Sequence, residues 1–145
     1  MNSLQSLFQF IREKGYLLTD KRKRLIHLLF ESHSFLSARQ LIIKMQKIYP
    51  NISHDTIYRN LNLLVQLGFL ETRVKHGEKQ FFLVNPIHSD QLYGYFICEQ
   101  CGSVHPLNLD LNLHMMVNKL EIQHFLFEVY GNCSLCSGGT KSHAL

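Results

Sequence analysis

The chain has 145 residues, 46% of them hydrophobic and 18% charged, with a formal net charge of +4. This is enough for one domain or two small ones with a core, and no apolar run is long enough for a helical membrane span. Charge divides unevenly: residues 1–84 carry thirteen Lys/Arg against six Asp/Glu, whereas residues 85–145 carry two against five. A basic half joined to a mildly acidic one points to a polyanion-binding domain fused to something else; a solvated basic surface is the plainer alternative. The N-terminus is amphipathic and lacks a cleavage site, so it does not read as a secretory signal.

Ser3 can cap a first helix in which Leu4, Leu7, Phe8 and Ile11 recur at helical spacing, with Gly15 ending it. Thr19 can cap a second, which opens on Asp20-Lys21-Arg22-Lys23-Arg24 and then turns apolar. That basic cluster suits phosphate contact. Ser37 caps a third helix carrying Leu41, Ile42, Met45 and Ile48, which stops before Pro50. Ser53 caps a fourth, from His54 to about Leu67, with Ile57, Leu61, Leu64 and Val65 as its buried stripe. Thr56, Tyr58, Arg59, Asn60 and Asn62 then fall mostly off that stripe. Arg and Asn can read base edges, and Tyr and Thr can touch phosphate or a thymine methyl.

Two β-rich runs follow, Phe69 to Val74 and Lys79 to Val84, joined by Lys75-His76-Gly77-Glu78 as a hairpin loop. Short helices followed by a hairpin predict a winged helix-turn-helix over residues 1–84, with the fourth helix in the recognition position. Residues 85–92 read as a hinge. From residue 93 to 145 the pattern predicts a small α/β domain: a strand Tyr93–Cys98, a return strand Ser103–Leu107, a helix from Asp110 to about Leu120 and a strand His124–Tyr130. Met115 and Met116 read as core or interface filler. The end, from Ser137 to Leu145, is polar and reads as loose.

The four cysteines fall into two pairs, Cys98-Glu99-Gln100-Cys101 and Cys133-Ser134-Leu135-Cys136. Two CxxC knuckles supply four thiolates, the coordination shell of a structural Zn²⁺, and imply a reducing, cytoplasmic setting. The alternative is a pair of redox-active or disulfide-forming motifs, although a CxxC disulfide closes too small a loop to stabilise much. A domain this small needs help beyond its core. Zinc is one source, and self-association through a strand edge or the Met-bearing helix is another. A two-fold dimer would also match palindromic DNA.

Residues 4–136 resemble the ferric uptake regulator family. The resemblance is carried by Thr19-Asp20-Lys21-Arg22, by Asp55-Thr56-Ile57-Tyr58-Arg59-Asn60-Leu61, by Gly68-Phe69-Leu70-Glu71, and by the stretches around both CxxC pairs. DTIYRNL, LGFLET and GEK are most similar to the zinc uptake regulator branch. The resemblance implies an α+β architecture: an N-terminal winged helix-turn-helix followed by a small α/β dimerisation domain with a four-cysteine zinc site. It implies one structural zinc per subunit on Cys98, Cys101, Cys133 and Cys136. It also implies major-groove contacts by Tyr58 and Arg59, a role for Arg22 in the T-x-x-R motif, and contacts by Lys14 and Tyr16 to backbone and minor groove. A second, regulatory metal at the hinge is expected to swing the DNA-reading domains into place.

The chain departs from the family pattern where that second metal binds. Tyr93-Gly94-Tyr95 replaces a His-x-His pair, Phe35 replaces the His ahead of the third helix, and Pro106 replaces an acidic residue. Val84 or Asn85 stands where zinc regulators often carry a Cys, and Phe125 where the family has a late His. Glu71 keeps a position that zinc-sensing relatives use. Two readings follow. One is a relocated regulatory site drawn from Glu71, His76, His88, Asp90, His105 and His124, all legitimate Zn²⁺ ligand types. The other is a repressor that no longer needs a second metal. The expected function is a metal-responsive dimeric repressor of zinc uptake genes on palindromic operator DNA. Regulation of iron or other metal genes is the alternative, and a thiol/zinc redox switch a further one. Four thiolates close a zinc shell, and no nucleophile–base pair stands out, so an enzyme is not expected.

Overall fold

The structure is a computed structural model that describes residues 3–84, 93–108 and 127–137. The chain divides into two compact units, Met1–His88 and Ser89–Leu145. The first runs α1 (Ser3–Glu13), α2 (Asp20–Glu31), β1 (Leu36–Ser37), α3 (Ala38–Gln46), α4 (His54–Gln66), β2 (Leu70–Lys75) and β3 (Glu78–Leu83). This is a winged helix. No helix among the described residues is long and apolar enough to cross a membrane.

Each helix after the first starts on the hydroxyl the sequence offers. Thr19 accepts from the Arg22 amide, Ser53 from the Thr56 amide, and Ser37 forms a full capping box with Gln40. The helix ends are equally local. Gly15, at φ 81°, lets Tyr16 N–H reach the Ile11 carbonyl and its own N–H reach Arg12. Gly68, at φ 77°, does the same between Phe69 and Leu64. Both are Schellman closures, which turn the chain sharply at the cost of one left-handed residue.

The core joins all four helices to the wing. Ile11, Ile26, Leu41, Leu61 and Leu64 are fully buried. Phe69 and Phe81 bring the wing onto them, and Phe10 packs edge-on to Phe69 at 5.2 Å. The third helix is shorter than expected: it ends at Gln46, and Ile48 is 43% exposed. The hairpin is tighter than expected. Lys75 pairs with Glu78, so only His76 and Gly77 form the turn, both at positive φ (51° and 77°) as a type I′ turn requires. A two-residue strand that the sequence did not announce, β1, adds to the far side of β3 through Leu36↔Phe81 and Ser37↔Gln80. The sheet order is β1-β3-β2.

The second unit has a three-stranded sheet among its described residues, ordered β5-β4-β6. Central β4 (Tyr93–Cys98) pairs antiparallel with β5 (Val104–Asn108) and parallel with β6 (Phe127–Gly131). Pro106 lies in β5, an edge strand, where its missing N–H is tolerated. The expected hinge at 85–92, the helix from Asp110 to Leu120, the strand residues 124–126 and the tail from 138 lie outside the described residues.

Leu61 is fully buried and Ile43 is half exposed. Leu61→Ala is expected to destabilise the first unit by about 2–5 kcal/mol, and Ile43→Ala by less than about 0.5. Urea unfolding checks this; similar losses for the two would contradict the packing described.

Candidate nucleic-acid interface and metal centre

Cys98 ends β4 and is buried, Cys101 is exposed, and Cys133 and Cys136 are half-buried. The four sulfurs lie within 4.8 Å of one another. Cys101 Sγ and Cys133 Sγ are 3.8 Å apart, too far for an S–S bond. Zn–S bonds of about 2.3 Å at tetrahedral angles place sulfurs about 3.8 Å apart, so the donor set fits a tetrahedral thiophilic cation. The backbone prepares the site. The amides of Cys101 and Cys133 point at Cys98 Sγ from 3.5 and 3.3 Å. Glu99 N–H donates to the Gly131 carbonyl at 2.8 Å, tying the first knuckle to the end of β6. Beside the ligands, Ser103 Oγ is 3.1 Å from both Cys101 Sγ and His105 Nε2.

These contacts split the thiols electrostatically. The two amides aimed at Cys98 hold its pKa down to about 6. Ser103 lowers that of Cys101. Cys136, crowded first by Cys133 and then by Cys101, is pushed up to about 12. Several thiolates in one place repel, and a bound dication removes that obstacle.

In the first unit, α4 presents the expected outer face. Tyr58 is 45% exposed, and the Arg59 side chain is exposed and ion-paired with Asp55 at 2.7 Å, one turn back. An exposed pair of this kind is weak, so it orients Arg59 without locking it. Thr56 Oγ1 is 2.8 Å from Ser53 Oγ. Asn60 corrects the sequence expectation: it is 8% exposed and faces inward. Its Oδ1 accepts from Arg22 Nε at 2.7 Å, and its Nδ2 donates to the Thr56 carbonyl at 2.7 Å. Arg22 also donates through a terminal nitrogen to the Leu17 carbonyl. Burial lowers the Arg22 pKa, with Tyr16 opposing the shift, and the guanidinium stays a cation. A cleft of about 530 Å³ opens here, lined by Thr19, Asp20, Lys21, Arg22, Tyr49, Thr56 and Asn60. Lys14 lies exposed beside it in sequence, its Nζ 5.2 Å from the Phe10 ring, and Tyr16 is 42% exposed.

Of the expected regulatory ligands, Glu71, His76 and His105 lie among the described residues, and none of them joins a group of three or more ligands. Among the described residues, the four cysteines form the only group of three or more potential ligands at metal spacing. Glu71 lies near the start of β2 and His76 in the turn that follows it, about 16 Å apart at 3.3 Å per residue. His105 belongs to the hydrogen-bonded surroundings of Cys101. His88, Asp90 and His124 lie outside the described residues. Phe35 is buried, with the Arg73 guanidinium 4.0 Å over its ring and Phe82 at 5.3 Å. Apolar packing therefore occupies that position. The sequence reading missed Ser103, and it missed the hydrogen bond between half-buried Arg22 and buried Asn60. Asn60 follows Ile57 by three residues, and that spacing was the available signal.

A winged helix followed by a sheet unit with four converging thiols defines a metal-binding regulator of transcription rather than an enzyme. The chain belongs to the ferric uptake regulator family, whose profile matches residues 13–128. The ferric uptake regulation protein of Staphylococcus epidermidis is 33% identical over 130 residues, covering 88% of this chain and 92% of the relative. That of Staphylococcus aureus is 33% identical over 131 residues, covering 88% and 93%. Among solved structures, a zinc uptake regulator complexed with zinc and DNA superposes with a TM-score of 0.69 at 21% identity, covering 94% of this chain and 96% of that one. The Helicobacter pylori ferric uptake regulator gives 0.62 at 18% identity, covering 98% and 94%. Both likenesses establish the fold.

The thiol environment has a pH signature. Cys98's lowered pKa favours the folded metal-free unit above the ordinary thiol range, and that contribution disappears as pH falls through about 6. Cys136's raised pKa contributes below the ordinary thiol range and is lost as pH climbs towards about 12. In the reduced, metal-free protein, ultraviolet thiolate absorbance should rise in separate steps, one complete by neutrality and one far into alkali. A single step at the ordinary thiol value would contradict this environment.

Proposed function

We propose that the protein is a dimeric transcriptional repressor that binds palindromic operator DNA and answers to cellular zinc. The observation that carries the DNA reading is the exposed Tyr58–Arg59 face of α4, a helix whose other face is buried in the core. The net charge of residues 1–84, thirteen Lys/Arg against six Asp/Glu, supports it. In this reading Tyr58 and Arg59 enter the major groove, Thr56 contacts its edge, and Lys14 and Tyr16 reach the neighbouring backbone and minor groove. Arg22 lines a cleft with Thr56 and Asn60 behind that face.

Cys98, Cys101, Cys133 and Cys136 hold one structural zinc per subunit. When bound, zinc supplies a closed tetrahedral cross-link and no open position for catalysis. The second unit forms the dimer, and residues 85–92 act as the hinge between residues 1–84 and 93–145. A regulatory zinc, where one is used, draws on Glu71 with His88 and Asp90. The zinc assignment rests on the DTIYRNL, LGFLET and GEK stretches. Iron is the second reading, and the ferric uptake regulation proteins at 33% identity favour it.

Native mass spectrometry before and after a mild chelator is expected to show one retained zinc per chain. Cys136→Ser should abolish its retention, whereas Leu135→Ala, at a 92% exposed position, should not. A chain without zinc would end the structural-site reading. A second, removable zinc would support the regulatory site, and Glu71, His88 and Asp90 replaced together should then remove metal-dependent binding. Titrating zinc against ferrous iron in operator binding separates the two effectors.

Against a palindromic duplex selected from a random pool, Arg59→Ala is expected to lose about 1–3 kcal/mol of discrimination at the base it reads. Lys14→Ala should weaken all duplexes alike and lower the salt slope by about one. Unchanged specificity in Arg59→Ala would remove α4 from the reading role.

A further inference from the structure

Arg22 and Asn60 were both expected to touch DNA, and the geometry assigns them a different task. Resting on the DNA-binding reading above, we propose that they are positioning residues. Together they hold the loop between α1 and α2, which carries Lys14 and Tyr16, at a fixed offset from the reading face of α4.

The contacts form one continuous brace. Thr56 and Asn60 belong to α4, and the Asn60 amide is oriented at both ends: Nδ2 on the Thr56 carbonyl, Oδ1 on Arg22 Nε, each at 2.7 Å. Arg22 opens α2, with its own amide on the Thr19 hydroxyl at 3.2 Å. Its guanidinium then reaches back to the Leu17 carbonyl. The loop's other end is set by α1, through Tyr16 N–H on Ile11 and Gly15 N–H on Arg12. The loop is thereby held at both ends and in the middle. Leu17, although 80% exposed, is held by its backbone through this guanidinium contact.

The residue types suit this task better than contact with DNA. Asn60 is 8% exposed, and its oxygen and its amide nitrogen both have partners within the protein. An amide can accept from a guanidinium and donate to a carbonyl at once; a carboxylate there would face the Thr56 carbonyl with no proton to give. A guanidinium offers Nε and a terminal nitrogen in one fixed fork, and so can bridge Asn60 and Leu17. A lysine ammonium has the same charge and no such fork.

The test uses the full-length, reduced, zinc-loaded protein and the palindromic duplex that wild type selects from a random pool. Arg22→Lys keeps a charge for phosphate and loses the fork. It is expected to weaken binding about tenfold, close to Arg22→Ala, and retention within about twofold of wild type would overturn the proposal. Lys14→Ala is expected to weaken binding about fivefold in the native background and less than about twofold alongside Asn60→Ala, although the two side chains share no contact. Strict additivity of Lys14 and Asn60 would also overturn it. Thermal melting and zinc content establish that each variant is folded, and Asn60→Ser serves if Asn60→Ala is not. Backbone hydrogen exchange gives a readout without DNA: Arg22→Lys should lose protection at Gly15 and Tyr16, whose amides close the loop onto α1, and leave α3 unchanged, and unchanged exchange there would overturn the brace. Should wild type select no duplex, the DNA reading falls, and the exchange measurement still decides the brace.

Discussion

Thirteen residues of α4 meet two opposed demands, and the first unit is arranged around that constraint. One face, through Ile57, Leu61 and Leu64, must leave water for the structure to hold together. The other must stay in water, carrying Tyr58 and Arg59. A helical period of 3.6 residues lets both coexist only if the inner stripe is narrow. The inner stripe also takes in Asn60, which comes three residues after Ile57. A polar side chain there must find partners, because leaving it unpaired in the interior costs about 1–3 kcal/mol. The partner it finds is Arg22, and through it the first turn of α2. A polar residue on a mostly apolar face thus links two helices and a loop.

The second unit meets a different constraint. Its described core is small: Ile97, Cys98 and Val104 are its buried apolar residues among those described. Three strands of five or six residues supply little hydrophobic stabilisation. The cysteines compensate by position. Cys98 and Cys101 close the β4–β5 corner, Cys133 and Cys136 follow β6, and their sulfurs meet at one point. The amides that stabilise a Cys98 thiolate are the ones the two tight turns leave pointing inward. Local turn geometry and thiol chemistry are therefore the same feature seen at two scales.

The position of Phe35 shows how packing can replace chemistry. Beneath Arg73 and against Phe82, it joins the start of α3 to both strands of the hairpin. Arg73 Nε meanwhile donates to Gln80 at 2.9 Å across the β2–β3 pair. The basic residue is held over an aromatic ring by the attraction of a cation for the ring face. The wing is fastened to the helical body at that point by ring and cation contacts.

Much of this was written locally in the chain. Thr19, Ser37 and Ser53 marked helix starts, Gly15 and Gly68 marked helix ends, and the two CxxC pairs announced a four-sulfur site, because hydroxyl caps, left-handed glycines and knuckle spacing act within a few residues. The winged helix and the exposed Tyr58–Arg59 face followed from the same short-range patterns. Other features needed the tertiary structure. The two-residue strand β1 exists only because β3 is there to pair with it, and the parallel pairing of β4 with β6 joins segments about thirty residues apart. Arg22 looked like a phosphate contact and Asn60 like a base reader, since both are polar and sit in a basic half. Asn60 turned inward and took Arg22 as its partner, because the two came within hydrogen-bonding reach across thirty-eight residues of chain. The candidate ligands Glu71 and His76 are kept apart by the extended strand between them.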